Sequence, residues 1–156
     1  MPSIYNFRRP GFGIILIVLV MIAGYFYFNN PQPIQFKGVA DLHLAKVTDE
    51  ASELRGDLIF HNPNKMRSQL GKVNFDVLLN GVTIGKISDN FATNIKGEEN
   101  FHYSFQVRFP KAEVLKDDSA KADLPVRITG SAGSDVLFAN YTFAIDYSGT
   151  VNNSYR

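Results

Sequence analysis

The chain contains no cysteine and no tryptophan. Without cysteine there is neither a disulfide nor a lipid-modified thiol, so the fold must be held by packing alone. A second scarcity is local, since no charged residue stands between Pro10 and Phe36. A third concerns charge of one sign. Once Arg8 and Arg9 are set aside, 14 of the 16 Lys and Arg residues remain against 15 Asp and Glu, and no basic cluster follows Arg9. Binding to nucleic acid shows as a basic surplus on one face, so that near balance argues against a nucleic-acid partner. There is also no glycine-rich phosphate loop, internal repeat, heptad run or low-complexity tract, and with them go the usual signs of a bound cofactor or a solenoid.

The uncharged stretch is the first positive feature. Gly11–Phe28 is almost wholly apolar. Its 18 residues, at about 1.5 Å each, make about 27 Å of helix, close to the hydrocarbon thickness of a bilayer. A cleaved signal peptide would use Arg8 and Arg9 as its basic region and Ile14–Ile22 as its apolar region. Cleavage needs small residues one and three positions before the cut, but Gly24 is paired with Ile22 and Ala23 with Met21. The stretch therefore reads as an uncleaved transmembrane helix with the lipid bilayer as its partner over residues 11–28. Tyr25-Phe26-Tyr27-Phe28 suits an interfacial aromatic belt, and Asn29-Asn30-Pro31 ends the helix. Arg8 and Arg9 favour a cytoplasmic N-terminus and place the remainder outside the cytoplasm, in the periplasm if the envelope is Gram-negative. The expected division is a short N-terminus over 1–10, the helix over 11–28, a linker over 29–35, a folded domain over 36–150 and a tail over 151–156.

Beyond the linker the period is two. Phe36, Gly38, Ala40, Leu42 and Leu44 alternate with more polar positions, and Leu54, Leu58 and Phe60 alternate with Arg55, Asp57 and His61. The second run stops at Asn62-Pro63-Asn64, where proline removes a ladder donor and asparagine favours a turn. Val73, Phe75, Val77 and Leu79 lead into Asn80-Gly81, a dipeptide suited to a type I′ hairpin, from which Val82 and Ile84 return. Phe101, Tyr103, Phe105, Val107 and Phe109 give the clearest alternation. Pro110 would open a helix over Lys111–Lys121, a crossover between sheets. Two further strands are expected at Leu124–Ser131 and Val136–Tyr147, joined by a loop at Ala132-Gly133-Ser134-Asp135, with Val151–Arg156 frayed.

Seven strand-like runs without βαβ alternation predict an all-β fold. The expected form is a seven-stranded immunoglobulin/fibronectin-III-like antiparallel β-sandwich with one N-terminal transmembrane helix. The ordered motifs Ile59-Phe60-His61-Asn62-Pro63-Asn64, Leu78-Leu79-Asn80-Gly81-Val82-Thr83-Ile84-Gly85 and Phe143–Gly149 resemble the type 2 late-embryogenesis-abundant (LEA) family, also called the water-stress and hypersensitive-response domain. The resemblance spans roughly residues 36–150. It implies a seven-stranded sandwich, often on a single N-terminal helix, with no established catalytic residues and a link to desiccation or stress tolerance. The disorder of other LEA classes is not implied, because 45% of the residues are apolar.

The candidate chemistry is thin. His43, His61 and His102 lie on separate strands without metal-motif spacing, and no Gly-x-Ser-x-Gly elbow marks an activated serine. Asp117-Asp118, beside Lys116 and Lys121, reads as a solvated face. The asparagines of Asn62-Pro63-Asn64 are expected to bond nearby backbone rather than a ligand. Asn140-Tyr141-Thr142 and Asn152-Asn153-Ser154 match the glycan acceptor pattern, which matters only in a eukaryotic secretory route. No catalytic, cofactor or metal residue is therefore expected, and the chain reads as non-enzymatic, acting by contact in envelope stress. The alternative is an accessory subunit of a membrane complex, with Gly11, Gly13 and Gly24 letting another helix approach.

Overall fold

A computed structural model describes residues 10–46, 48, 50–114, 123–137 and 139–152. The chain divides into two compact units, Met1–Pro31 and Gln32–Arg156.

The first unit holds helix α1, Pro10–Asn29, of 20 residues with no acidic residue in its first turn and no basic one in its last. Proline fits the opening of a helix, where its missing N–H is not needed. Ile14 to Ile22 are exposed on every side of it. The described side chains of α1 cover only residues 13–26, and among the described residues no helix is long and apolar enough to cross a membrane.

The second unit contains seven strands: β1 Gln35–Lys46, β2 Ala51–His61, β3 Ser68–Leu79, β4 Val82–Ile95, β5 Asn100–Pro110, β6 Asp123–Val136 and β7 Ala139–Asn152. Helix α2, Lys111–Val114, sits in the crossover between β5 and β6. The strands form two sheets, a three-stranded one in the order β1-β2-β5 and a four-stranded one in the order β4-β3-β6-β7. Every neighbouring pair is antiparallel. The core lies between them, with Leu54, Leu58 and Phe60 facing Val73, Phe75, Val77, Leu124, Val126, Ile128 and Ile145. Burying each such side chain stabilises by about 1.5–3 kcal/mol, so these inward faces carry the fold that disulfides do not.

The expected hairpin is present. Asn80 and Gly81 both have positive φ, 52° and 78°, as a type I′ turn requires. Three expectations need correction. In β1 the partly buried hydrophobics against the core are Phe36, Val39 and Leu42, not Gly38 or Ala40, because register shifts at Phe36/Gly38 and Ala40/His43 reset the alternation. Ala132-Gly133-Ser134-Asp135 is not a loop but the end of β6, paired in register with Asn140–Phe143. Ala132 and Ser134 are buried there, so small residues keep the inward period that Leu124, Val126 and Ile128 begin. The turn falls after Val136, with Leu137 at φ 57°. The third correction is Val151, a buried residue of β7 and not part of a frayed tail. Helix α2 begins at Lys111, directly after Pro110 at the end of β5, where the helix was expected; positions 115–122, with Asp117-Asp118, lie outside the described residues.

The sandwich also begins earlier than position 36. Ile34 is fully buried and its N–H donates to Ser134 Oγ at 3.4 Å. The N–H of Gln32 donates to Asn64 Oδ1 and its carbonyl accepts from Asn64 Nδ2, both at 2.8 Å. The segment read as a linker is thus sewn into the domain from Gln32 onward.

Candidate functional site

The outer face of the three-stranded sheet gathers one group of polar side chains. The inward residues of β2 are Ser52, Leu54, Gly56, Leu58 and Phe60, so Arg55, Asp57 and His61 face out. On β5 the same logic turns His102, Ser104, Gln106 and Arg108 outward. Registry sets Arg55 opposite Gln106 and Asp57 opposite Ser104. Between Ala40 and His43, β1 carries one residue more than β2 and bulges, with Asp41 at φ 51°. Beside the bulge lies a cavity of about 330 Å³ lined by Asp41, His43, Arg55, Asp57, Ser104 and Gln106, among others.

Its charges are already engaged. Arg55 Nε is bonded to Glu53 Oε1. His102 Nδ1 lies 3.8 Å from Asp57 Oδ2. His43 Nδ1 lies 2.6 Å from the carbonyl oxygen of Asp41, which can only accept, so Nδ1 carries the proton. His61 Nδ1 lies 2.9 Å from Asn100 Oδ1, farther along the sheet. The three histidines thus take separate partners, and among the described residues no group of three or more His, Cys, Asp or Glu is placed to hold a metal. Such an arrangement offers hydrogen bonds to a contacting surface.

The corner after β2 is a second polar cluster, and it is buried. Asn62 Nδ2 donates to the carbonyls of Met66, Ile95 and Lys96 at 2.8, 3.1 and 3.0 Å. Its Oδ1 accepts from Ser68 Oγ at 3.0 Å, from the Asn64 N–H at 3.1 Å and from Asn64 Nδ2 at 2.9 Å. Turn chemistry at Asn62-Pro63-Asn64 was legible in the sequence; the reach to Gln32, Ile95 and Lys96 was not, because it depends on tertiary pairing. Nothing in the sequence pointed to Ser68 or Gln32.

A third cluster joins the sheets at one flank. Tyr103 of β5 stacks on Phe91 of β4, with centroids 5.4 Å apart and planes 13° from parallel. Its hydroxyl donates to Asp89 Oδ2 at 3.2 Å. Burial, then the charge of Asp89 and the hydrogen bond to it, push the phenol up to about 12. Of the glycan acceptor sites, Asn140 donates its amide to Asp135 Oδ1, and Asn152 ends β7 with Asn153 and Ser154 outside the described residues.

No family model and no curated protein sequence matches the chain. Solved structures do. A solution structure of an Arabidopsis thaliana protein is similar at a TM-score of 0.63 and 18% identity, over 77% of this chain and 82% of that one. The solution structure of a candidate late embryogenesis abundant (LEA) protein is similar at 0.60 and 15%, over 92% of this chain and 85% of the other. A crystal structure of a protein from Archaeoglobus fulgidus matches at 0.50 and 12%, over 76% and 97%. At these identities the likeness establishes the fold: the chain has an LEA-like β-sandwich fold.

Proposed function

We propose that the chain is a membrane-anchored, non-enzymatic LEA type 2-like protein whose sandwich acts by contact outside the cytoplasm during envelope stress. The observation that carries this reading is the LEA-like fold across nearly the whole chain. Three features support it. The division into β1-β2-β5 and β4-β3-β6-β7 sets the fourth strand beside the third, unlike the immunoglobulin constant-type sheet, and we read it as fibronectin-III-like. Arg55 and Asp57 of the outer cleft take partners beside it, Glu53 and His102, as suits a contact surface more than a reaction centre. For the anchor, α1 is uncharged and Ile14 to Ile22 are exposed on every side of it instead of forming one stripe, which suits lipid better than a groove.

The test has two arms. The full chain should stay in the membrane pellet after an alkaline carbonate wash, and a chain lacking residues 1–31 should be released. Cells lacking the protein should survive drying less well than their parent. Release of the full chain would overturn the anchor, and unchanged survival would overturn the stress role.

A further inference from the structure

The four edge strands of the two sheets are unequally defended. An open edge presents unpaired backbone groups to any passing strand, and proteins blunt it with bulges, lysine, proline or a covering side chain. β1 has two register breaks, positive φ at Gly38 and Asp41, and Lys37. β4 has Lys86 and two register breaks against β3. β5 ends at Pro110 and carries Arg108, with Phe91 and Asp89 of β4 drawn onto its Tyr103. β7 is guarded less: among the described residues its ring contact with the other sheet is the apolar one of Phe143 with Phe60, beside Phe36 of β1. It pairs with β6 across its 14 residues without a break and contains no Lys, Arg or Pro. Its one charged residue, Asp146, lies 3.7 Å from Arg127 Nε on β6. Among the described residues no ladder joins β7 to any strand but β6.

We propose that β7 is a self-pairing edge, through which two copies of this chain join β7 to β7 and fuse their four-stranded sheets into one. The occupant is a second copy because the strand is self-complementary in one register. A two-fold axis normal to the sheet must pass through a residue of β7, and the longest antiparallel overlap of Ala139–Asn152 with itself centres on Ile145 or Asp146. Centring on Asp146 would set two carboxylates face to face, a destabilising pair. Centring on Ile145 sets Asp146 against Ala144 of the second copy on the outer face, and Phe143 against Tyr147 on the inner face. Aromatic cross-strand pairs are stabilising, and both outer residues are exposed.

The full chain in detergent micelles, followed by sedimentation equilibrium, tests both the dimer and its register. Ala144 is exposed, so changing it leaves the core intact. Ala144→Glu faces Asp146 of the other copy twice per dimer and should weaken association about tenfold; Ala144→Lys should strengthen it. The absence of cysteine gives a clean second readout. Thr142→Cys with Ser148→Cys places the two thiols opposite each other between copies, and oxidation in native membranes should yield a covalent dimer. Thr93→Cys on β4 should not. A chain that stays monomeric at high micromolar concentration overturns the proposal, as do Ala144 variants that shift association in the same direction. Cross-links from β7 only to a different protein overturn it as well.

Discussion

The two long flanks of the sandwich are closed by different means. Where β4 meets β5, Tyr103 lies flat on Phe91, meets Phe75 edge-on at 6.3 Å and donates to Asp89. Where β1 meets β7, the closure is wholly apolar: Phe60 has Phe36 at 5.9 Å on one side and Phe143 at 6.0 Å on the other. The first closure is directional and contains a group that titrates. The second holds by volume and is indifferent to pH. A sandwich can thus seal one flank with a directional clasp and the other with apolar volume.

The largest test of the contrast is at Phe60, which is fully buried. Phe60→Ala should cost about 3–5 kcal/mol in denaturant unfolding, because no neighbouring side chain can fill the space between Phe36 and Phe143. A loss below about 1 kcal/mol would mean that the apolar flank is loosely packed. Tyr103→Phe, on the opposite flank, keeps the ring stack and gives up one exposed hydrogen bond. It should cost less than about 1 kcal/mol at neutral pH.

A glycine on each flank sharpens the comparison at smaller amplitude. A Cβ on Gly85 would collide with Val107 Cγ1, a stiff β-branched side chain that is buried. Gly85→Ala should therefore cost about 1–3 kcal/mol through overpacking. A Cβ on Gly149 would meet the Tyr147 hydroxyl, the far end of a side chain that is only half-buried and free to swing. Gly149→Ala should cost less than Gly85→Ala when the two are unfolded side by side; the reverse order would show that β7 is the more rigid edge.

These flanks also mark how far the sequence could be read. β5 was legible because one face is core and the other solvent, so its alternation is clean. β4 was seen only as Val82 and Ile84, because most of its residues are exposed and no period survives. The end of β6 was mistaken for a loop for the opposite reason. It is central, flanked by β3 and β7, and its inward positions are the small residues Ala132 and Ser134. Composition alone makes Ala132-Gly133-Ser134-Asp135 look like a turn, and only the pairing partners show it to be a strand. The bulge that opens the polar cleft was equally hidden, since Asp41 at positive φ has no sequence sign comparable to Asn80-Gly81.

The finest distinction between the flanks is their response to alkali. In the folded chain the Tyr103 phenol is raised from 10.0 to about 12, so the folded state keeps a proton that the unfolded chain gives up. Stability from this group is complete below about pH 10 and is lost as pH rises toward 12, where the folded phenol ionises beside Asp89. The decline in the denaturation midpoint across that interval should be shallower in Tyr103→Phe than in the parent. Asp89→Asn separates the causes: it removes the carboxylate but leaves the ring buried against Phe91 and Phe75. Since burial is the first cause of the shift and Asp89 supplies the others, part of the alkaline decline should persist in Asp89→Asn. Complete loss of the decline in that variant would mean that the clasp between β4 and β5 is held by charge and not by the stacked rings.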